Sequence, residues 1–157
     1  MMERAAFTPE LVSGHAMVDA QHQELIDNIN RLYDAVEQGN SIDEALSTLG
    51  FLAQYTMFHF GSEEKLMRTA GYPQYEAHKA AHDAFVETVK GLYDELSESG
   101  VSAGFADRVE DVVTKWLVNH ILGMDKQMIV WLREHGECAS APQEDRAEVH
   151  NAIQTMH

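Results

Sequence analysis

Apolar residues recur at helical spacing along four successive stretches of this chain of 157 residues. Because residues three and four apart lie on the same face of an α-helix, each stretch predicts an amphipathic helix with one buried face. The sequence has no sustained period-two alternation and no Asn-Gly or Asp-Gly hairpin signal, so strands are not indicated. Four long helices joined by short connections run up-down-up-down. We therefore predict an all-α fold, an up-down-up-down four-helix bundle.

Capping and stop signals predict where these helices begin and end. The first helix is expected from Val18, with Asp19 as its N-cap and Gly39 as its stop. The second opens at Ser41, where Glu44 three residues later completes a capping box. The remaining predicted boundaries are an end of the second helix near Gly71-Tyr-Pro73, a third helix from just after Pro73 to Ser99-Gly100, and a fourth from Ser102–Phe105 to Gly136.

Length and composition predict one globular domain. At roughly 150 residues per domain the chain has room for one, and 45% hydrophobic with 24% charged residues is typical of a globular protein. We assign residues 1–136 to the bundle and residues 137–157 to a C-terminal segment. Within that segment Ala139–Pro142 is interpreted as a linker and Glu144–Met156 as a short extra helix, and whether it docks on the bundle stays open.

Charge and the length of apolar runs exclude several classes of protein. With 11 Lys+Arg against 26 Asp+Glu, a net charge of -15 and no basic patch, nucleic acid and anionic membranes are excluded as partners. The longest apolar run, Met128–Leu132, is far shorter than the ~20 residues of a membrane span. The first ten residues lack the apolar core of a secretory signal. The single cysteine, Cys138, excludes an internal disulfide and a cysteine-based metal site. We expect a cytoplasmic protein.

Histidines fall on the inner face of every predicted helix. A lone inward histidine is usually a satisfied core residue, but here five meet from four faces. Buried imidazoles and carboxylates without partners cost a few kcal/mol each, and a shared metal would satisfy them together. The five are His22, His59, His78, His82 and His120, whereas His15, His135, His150 and His157 fall off the pattern and are predicted at the surface.

Two carboxylates complete the predicted ligand set. Glu63 lies one turn after His59 on the second helix, and Asp125 lies on the inner half of the fourth. Seven ligands are too many for a four-coordinate zinc site or for one octahedral ion, and they suit two ions. No Glu has a His three residues later, so the carboxylate-rich di-iron bundles are a poor match. The sequence predicts a nitrogen-rich dinuclear site.

The segments around these residues resemble the signature of the hemerythrin family, most closely its bacterial single-domain members. The likeness spans roughly residues 7–135, and the type, order and spacing of all seven predicted ligands match. The resemblance implies two non-haem iron ions with a bridging oxo or hydroxo group, and reversible binding of dioxygen. The segments are Asp19-Ala-Gln-His22, His59 to Met67, Tyr72-Pro73, His78-x-x-x-His82 and Trp116 to Asp125.

The resemblance also implies a role for each residue. By position, His78, His82 and His120 would bind one iron, His22 and His59 the other, and Glu63 and Asp125 would bridge them. Counting the bridging group, the first ion then has six ligands and the second five, so dioxygen binds to the second. Matching positions line the oxygen pocket in the family, with ordinary core as the alternative: Leu25, Phe60, Trp116, Leu117 and Ile121.

The sequence also allows predictions for several residues near the ligands. Many family members have a tyrosine one turn after the bridging aspartate, where this chain has Met128, so a phenol hydrogen bond is missing. Glu64 is expected to be solvated because it points about 100° away from Glu63. Gly61 and Gly123 interrupt helices beside the ligands, for close helix approach or for oxygen passage. Methionines 57, 67, 124 and 128 are predicted as core filling.

Three functions fit this pattern, and we expect binding rather than catalysis. The first is oxygen carriage, storage or delivery to an oxygen-consuming enzyme. The second is an oxygen or redox sensor read by a separate signalling partner, disfavoured because no output domain is present in the sequence. The third is an enzyme handling peroxide or nitric oxide, disfavoured because five imidazoles and two carboxylates support high-valent iron poorly. The oligomeric state stays open.

Overall fold

Four long helices dominate the computed structural model, which describes residues 5–38, 41–102 and 104–135. α1 (Ala16–Glu37) packs on α2 (Ile42–Ala70), and α2 packs on α3 (Tyr75–Ser99). The stacked rings of Phe85 and Trp116 join α3 to the fourth helix, α4 (residues 105–134), and a hydrogen bond between Tyr33 and Thr114 joins α1 to α4. α4 is continuous and consists of Phe105–Val109, Glu110–Thr114, Lys115–His120, Ile121–Asp125 and Lys126–Glu134, the second and fourth of these being π-helical. The predicted all-α four-helix bundle is confirmed.

The apolar core is divided into two clusters along the bundle. The larger cluster includes Leu25, Phe60 and Leu117, and the smaller one includes Val18 and Met128. Along α1, α2 and α4, the predicted ligands lie in sequence between members of the two clusters. A polar layer therefore crosses the bundle between two apolar regions, where water is excluded.

The start of α1 differs from the prediction. His15 is the N-cap, because its Nδ1 accepts the backbone N–H of Val18 at 3.3 Å, and the helix begins at Ala16. The carboxylate of Asp19 instead accepts the backbone N–H groups of Ser13 and Gly14 in the preceding loop, at 2.8 and 3.0 Å. Asp19 as N-cap was therefore wrong, since a neutral imidazole nitrogen is the acceptor there. His15 is also not at the surface, with 8% of it exposed.

Most of the other boundaries agree with the capping signals. The Ser41 side chain accepts the Glu44 backbone N–H at 3.2 Å, as the capping box predicts. α2 ends at Gly71, whose φ of 73° is the left-handed conformation that glycine adopts without strain. Outside the described residues lie Gly39, Gly136, Cys138, the predicted linker Ala139–Pro142, the predicted helix Glu144–Met156, His150 and His157.

The division at residue 136 likewise stays a prediction. No helix in the described ranges is both long enough and apolar enough to span a membrane.

Candidate metal centre

All seven side chains predicted as ligands meet in the polar layer, and all are buried. Their ligand atoms form two groups, each within 4.8 Å. Glu63 and Asp125 belong to both groups. We call the imidazoles of the first the three-histidine group (His78, His82, His120) and those of the second the two-histidine group (His22, His59).

The ring nitrogens of the three-histidine group converge on one point. The Nε2 atom of His120 lies 3.1 Å from Nε2 of His78 and 3.1 Å from Nε2 of His82. Imidazole nitrogens whose lone pairs face one another repel unless a proton or a metal ion lies between them. Ligands at right angles, each ~2.1 Å from an ion, lie ~3.0 Å apart. The spacing therefore fits three nitrogens on one face of a metal ion.

Each carboxylate divides its two oxygens between the two groups. Glu63 Oε1 lies 3.1 Å from His82 Nε2, whereas its Oε2 lies 3.1 Å from His59 Nε2. Asp125 Oδ1 lies 3.1 Å from His120 Nε2, whereas its Oδ2 lies 2.9 Å from His22 Nε2. This is the arrangement of two carboxylates that bridge a pair of ions.

Several of these buried atoms lack hydrogen bonds to the described residues despite their short contacts. They are the Nε2 atoms of His22 and His59, both carboxylate oxygens of Glu63, and Oδ2 of Asp125. A buried polar atom left without a partner costs ~1–3 kcal/mol. Cations placed among them would satisfy all of these atoms, so the donor set fits a pair of metal ions.

Two further side chains hold the rings in orientation. His59 Nδ1–H donates to Gln21 Oε1 at 2.7 Å, and His82 Nδ1–H donates to Glu64 Oε2 at 2.9 Å. A proton on Nδ1 leaves the Nε2 lone pair free for a metal. The expectation that Glu64 is solvated was only partly right: its side chain is 13% exposed, but a rotation of about 100° in a bundle also turns it toward the next helix. Adjacency to a predicted ligand was the available signal for both Gln21 and Glu64.

A π-helical turn brings His120 and Asp125 together. Residues five apart lie about 140° apart around an α-helix, so regular α4 geometry would separate these side chains. The segment Ile121–Asp125 is π-helical, with a wider turn, and places Asp125 Oδ1 3.1 Å from His120 Nε2. The periodicity of apolar residues does not reveal such a turn.

Aromatic rings stack on two imidazoles of the three-histidine group. Phe60 stacks on His82 with ring centroids 3.8 Å apart, and Trp116 stacks on His120 at 4.5 Å. Of the five predicted pocket residues, Trp116 is half-buried and the other four are buried: Leu25, Phe60, Leu117 and Ile121. Their role as an oxygen pocket stays a prediction.

The methionine prediction was partly wrong. Met67 and Met128 are buried in the smaller apolar cluster, as expected of core filling. Met124 is half-buried, whereas Met57 is 55% exposed because it lies on the outer face of α2.

Gly61 and Gly123 do not serve close helix approach. A Cβ atom added at either position would meet no atom of a neighbouring element within 4 Å. That alternative is therefore wrong for both. Gly61 does line a surface cavity of about 320 Å³, whose wall includes Phe60 and Glu64.

We expect Gly61→Ala to raise the free energy of unfolding by ~0.5–1 kcal/mol, because alanine favours the helix and nothing obstructs its Cβ. Denaturant unfolding measures the change. Gly71→Ala, at the left-handed end of the same helix, is the control and should destabilise the protein. A loss of stability in Gly61→Ala would contradict the open position.

Charges within the layer shift the titration of its members. Burial favours neutral His22 and His78, but the nearby carboxylates of Asp125 and Glu63, through their short contacts and their negative charges, outweigh burial and raise both pKa values to about 9. Burial alone would raise the carboxyl pKa values, yet the surrounding imidazoles hold both below the usual range. Burial lowers the pKa of His59. Without metal, two imidazolium rings thus balance two carboxylates at neutral pH.

Metal binding should therefore release protons from His22 and His78. Their raised pKa means that the metal-free folded state holds these protons until the pH rises through about 9, and a metal must displace them. Protonation of His22 and His78 adds to the stability of the metal-free fold. This contribution is complete below pH ~6.5, the pKa of the unfolded chain, and is lost as the pH rises through the folded-state pKa of about 9. Proton release on metal binding should fall by about two per chain between pH 7 and pH ~10. Calorimetry in buffers of different ionisation enthalpy measures this, and an unchanged release would contradict it.

Known proteins share this sequence pattern over most of the chain. A sequence model of the Hemerythrin HHE cation binding domain matches residues 13–132. The bacteriohemerythrin of Methylococcus capsulatus is 36% identical over 126 residues, covering 78% of this chain and 86% of the relative. That of Pseudomonas aeruginosa is 33% identical over 124 residues, covering 79% and 78%. The myohemerythrin of Theromyzon tessulatum is 30% identical over 108 residues, covering 69% and 77%.

A solved structure shows the same architecture. A crystal structure of a mutant hemerythrin matches with a TM-score of 0.69 and 32% sequence identity, covering 80% of this chain and 95% of that chain. The resemblance found in the sequence is confirmed by the domain match, the relatives and the shared fold. The protein belongs to the hemerythrin family.

Proposed function

We propose that the protein binds dioxygen reversibly at two non-haem iron ions that share a bridging oxo or hydroxo group. One observation carries the proposal: both buried carboxylates divide their oxygens between two groups of imidazoles. Two ions sharing two carboxylates require that division, whereas one ion does not. Membership of a family with a cation-binding domain supports the same reading.

In this proposal dioxygen binds to one ion only, because the two ions would have different numbers of protein ligands. The three-histidine group would hold one ion and the two-histidine group the other, with Glu63 and Asp125 bridging. The two-histidine group would give its ion one protein ligand fewer, which would leave a position for dioxygen. When bound, the iron pair supplies the electrons that dioxygen takes up and returns.

The chain's own residues orient the ligands and keep the site dry. Stacking of Phe60 and Trp116 holds the rings of His82 and His120. Leu25, Leu117 and Ile121 are buried in the larger apolar cluster, where they exclude water and anions. We assign the oxygen pocket to Leu25, Phe60, Trp116, Leu117 and Ile121.

Metal analysis and optical spectroscopy test the proposal. Purified protein should contain two irons per chain, matching the two groups of donors. The reduced protein should gain a charge-transfer band in air and lose it on degassing. One zinc per chain, or a single iron without a second site, would overturn the dinuclear assignment. A band that does not reverse would overturn reversible binding.

We propose binding rather than catalysis because imidazoles outnumber carboxylates in the site by five to two. Carboxylate-poor surroundings stabilise high-valent iron less well than carboxylate-rich ones. A cytoplasmic location is proposed with it, supported by the single cysteine.

A further inference from the structure

The two hydrogen bonds behind the ligand rings differ in charge. On the two-histidine side, His59 donates to the neutral amide of Gln21. On the three-histidine side, His82 donates to the carboxylate of Glu64. The two contacts are similar in length, 2.7 and 2.9 Å, so their length does not distinguish them, whereas the charge of the acceptor does.

The amide of Gln21 is held in one orientation. Its Nε2 lies 3.4 Å from Ser62 Oγ, whose hydroxyl donates to the Phe58 carbonyl at 3.1 Å. The amide oxygen therefore faces His59, and the side chain is fully buried. Gln21 fixes a ring without adding charge.

Glu64 has different surroundings. Its side chain is 13% exposed and lies on the wall of the surface cavity beside Gly61, together with Glu87. Solvent at this wall lowers the cost of keeping a carboxylate charged next to a buried ring. A carboxylate that accepts from a ligand imidazole makes that imidazole a stronger electron donor to a metal.

From this asymmetry we infer that Glu64 is a positioning residue with a second effect: through His82, its charge stabilises the oxidised state of the ion held by the three-histidine group. Gln21 orients His59 without that effect. The inference rests on the proposed iron site. It separates two contributions of Glu64, namely a hydrogen bond that orients the ring and a negative charge that sets the reduction potential.

Substitutions at Glu64 separate these contributions in the iron-loaded protein. Glu64→Gln keeps an acceptor oxygen but removes the charge, so iron content should stay near that of the unchanged protein while the midpoint potential becomes more positive. Glu64→Ala removes both, so iron affinity should also fall by ~10–100-fold. Glu87→Gln removes an equal charge from the same cavity wall, where the Glu87 carboxylate lies 3.5 Å from Lys90 Nζ, so it is the control for a general effect of charge at this wall.

Redox titration followed by iron analysis gives both readouts. A more positive potential in Glu64→Gln, with Glu87→Gln unchanged, is the expected result. Equal shifts in both variants would show that the charge acts through space and not through His82, which overturns the inference. An unshifted Glu64→Gln that still binds two irons would also overturn it, while the proposed function stands. Failure of the unchanged protein to bind iron would instead overturn the proposed function.

Discussion

Glu63→Ala is expected to remove both irons, so that iron content falls from two per chain toward none. The oxygens of Glu63 lie within 3.5 Å of four ligand imidazoles, His22, His59, His78 and His82, which span both groups. No other residue of the described cluster except Asp125 serves both groups. In the proposed site, removing Glu63 would take one ligand from each ion at once, and elemental analysis of the purified variant measures the loss.

The metal-free form of this variant should also be less stable. The negative charge of Glu63 helps to raise the pKa of His22 and His78, and breaking a buried charge network typically costs ~3–5 kcal/mol. Urea unfolding of the metal-free protein measures that cost. Glu98→Ala, on the exposed face of α3, is the control and should keep both irons. Full iron content in Glu63→Ala would show that the carboxylate does not bridge.

Leu117→Ala should weaken the fold and expose the proposed iron pair to water. Leu117 is 3% exposed, and it precedes His120 by three residues on the same face of α4. Truncating a buried leucine leaves a cavity and costs ~2–5 kcal/mol. Water or an anion that enters the cavity should speed autoxidation and azide binding, while iron content stays at two per chain. Unfolding, autoxidation and azide-binding rates are the three measurements.

Leu122→Ala is the matched control for that experiment. Leu122 lies on the same helix but is 40% exposed, so its truncation should change stability by less than ~0.5 kcal/mol. Its autoxidation rate should equal that of the unchanged protein. If Leu117→Ala also autoxidised at that rate and bound azide no faster, Leu117 would be ordinary core and the pocket would lie elsewhere.

Four of the seven predicted ligands could be placed on shared faces by a simple rule. His59 and Glu63 are one turn apart, as are His78 and His82, so each pair shares a face wherever the helix is regular. Glycine at position 71 and serine at position 41 mark helix ends through local backbone chemistry. Such rules need no knowledge of the neighbouring helices.

Other features depend on what faces a residue across the bundle. Glu64 was misjudged because periodicity gives an angle around one helix and does not say whether solvent or α3 lies there. His15 was misjudged because the usual cap residues are Ser, Thr, Asp and Asn, and the loop occupies Asp19 instead. The first error concerns a partner on another helix, and the second concerns the loop that precedes α1.

The π-helical turns of α4 affect how sequences of this kind can be aligned and designed. Each turn accommodates one residue more than an α-helical turn of similar length, so Glu110–Thr114 and Ile121–Asp125 act as one-residue insertions inside a helix. A sequence alignment that allows gaps only in loops would pair Asp125 with the wrong residue of a bundle whose fourth helix has no π-helical turn. Ideal backbones for protein design contain no such insertion. A synthetic bundle intended to carry this donor set therefore needs one extra residue in its fourth helix, between the residues that correspond to His120 and Asp125.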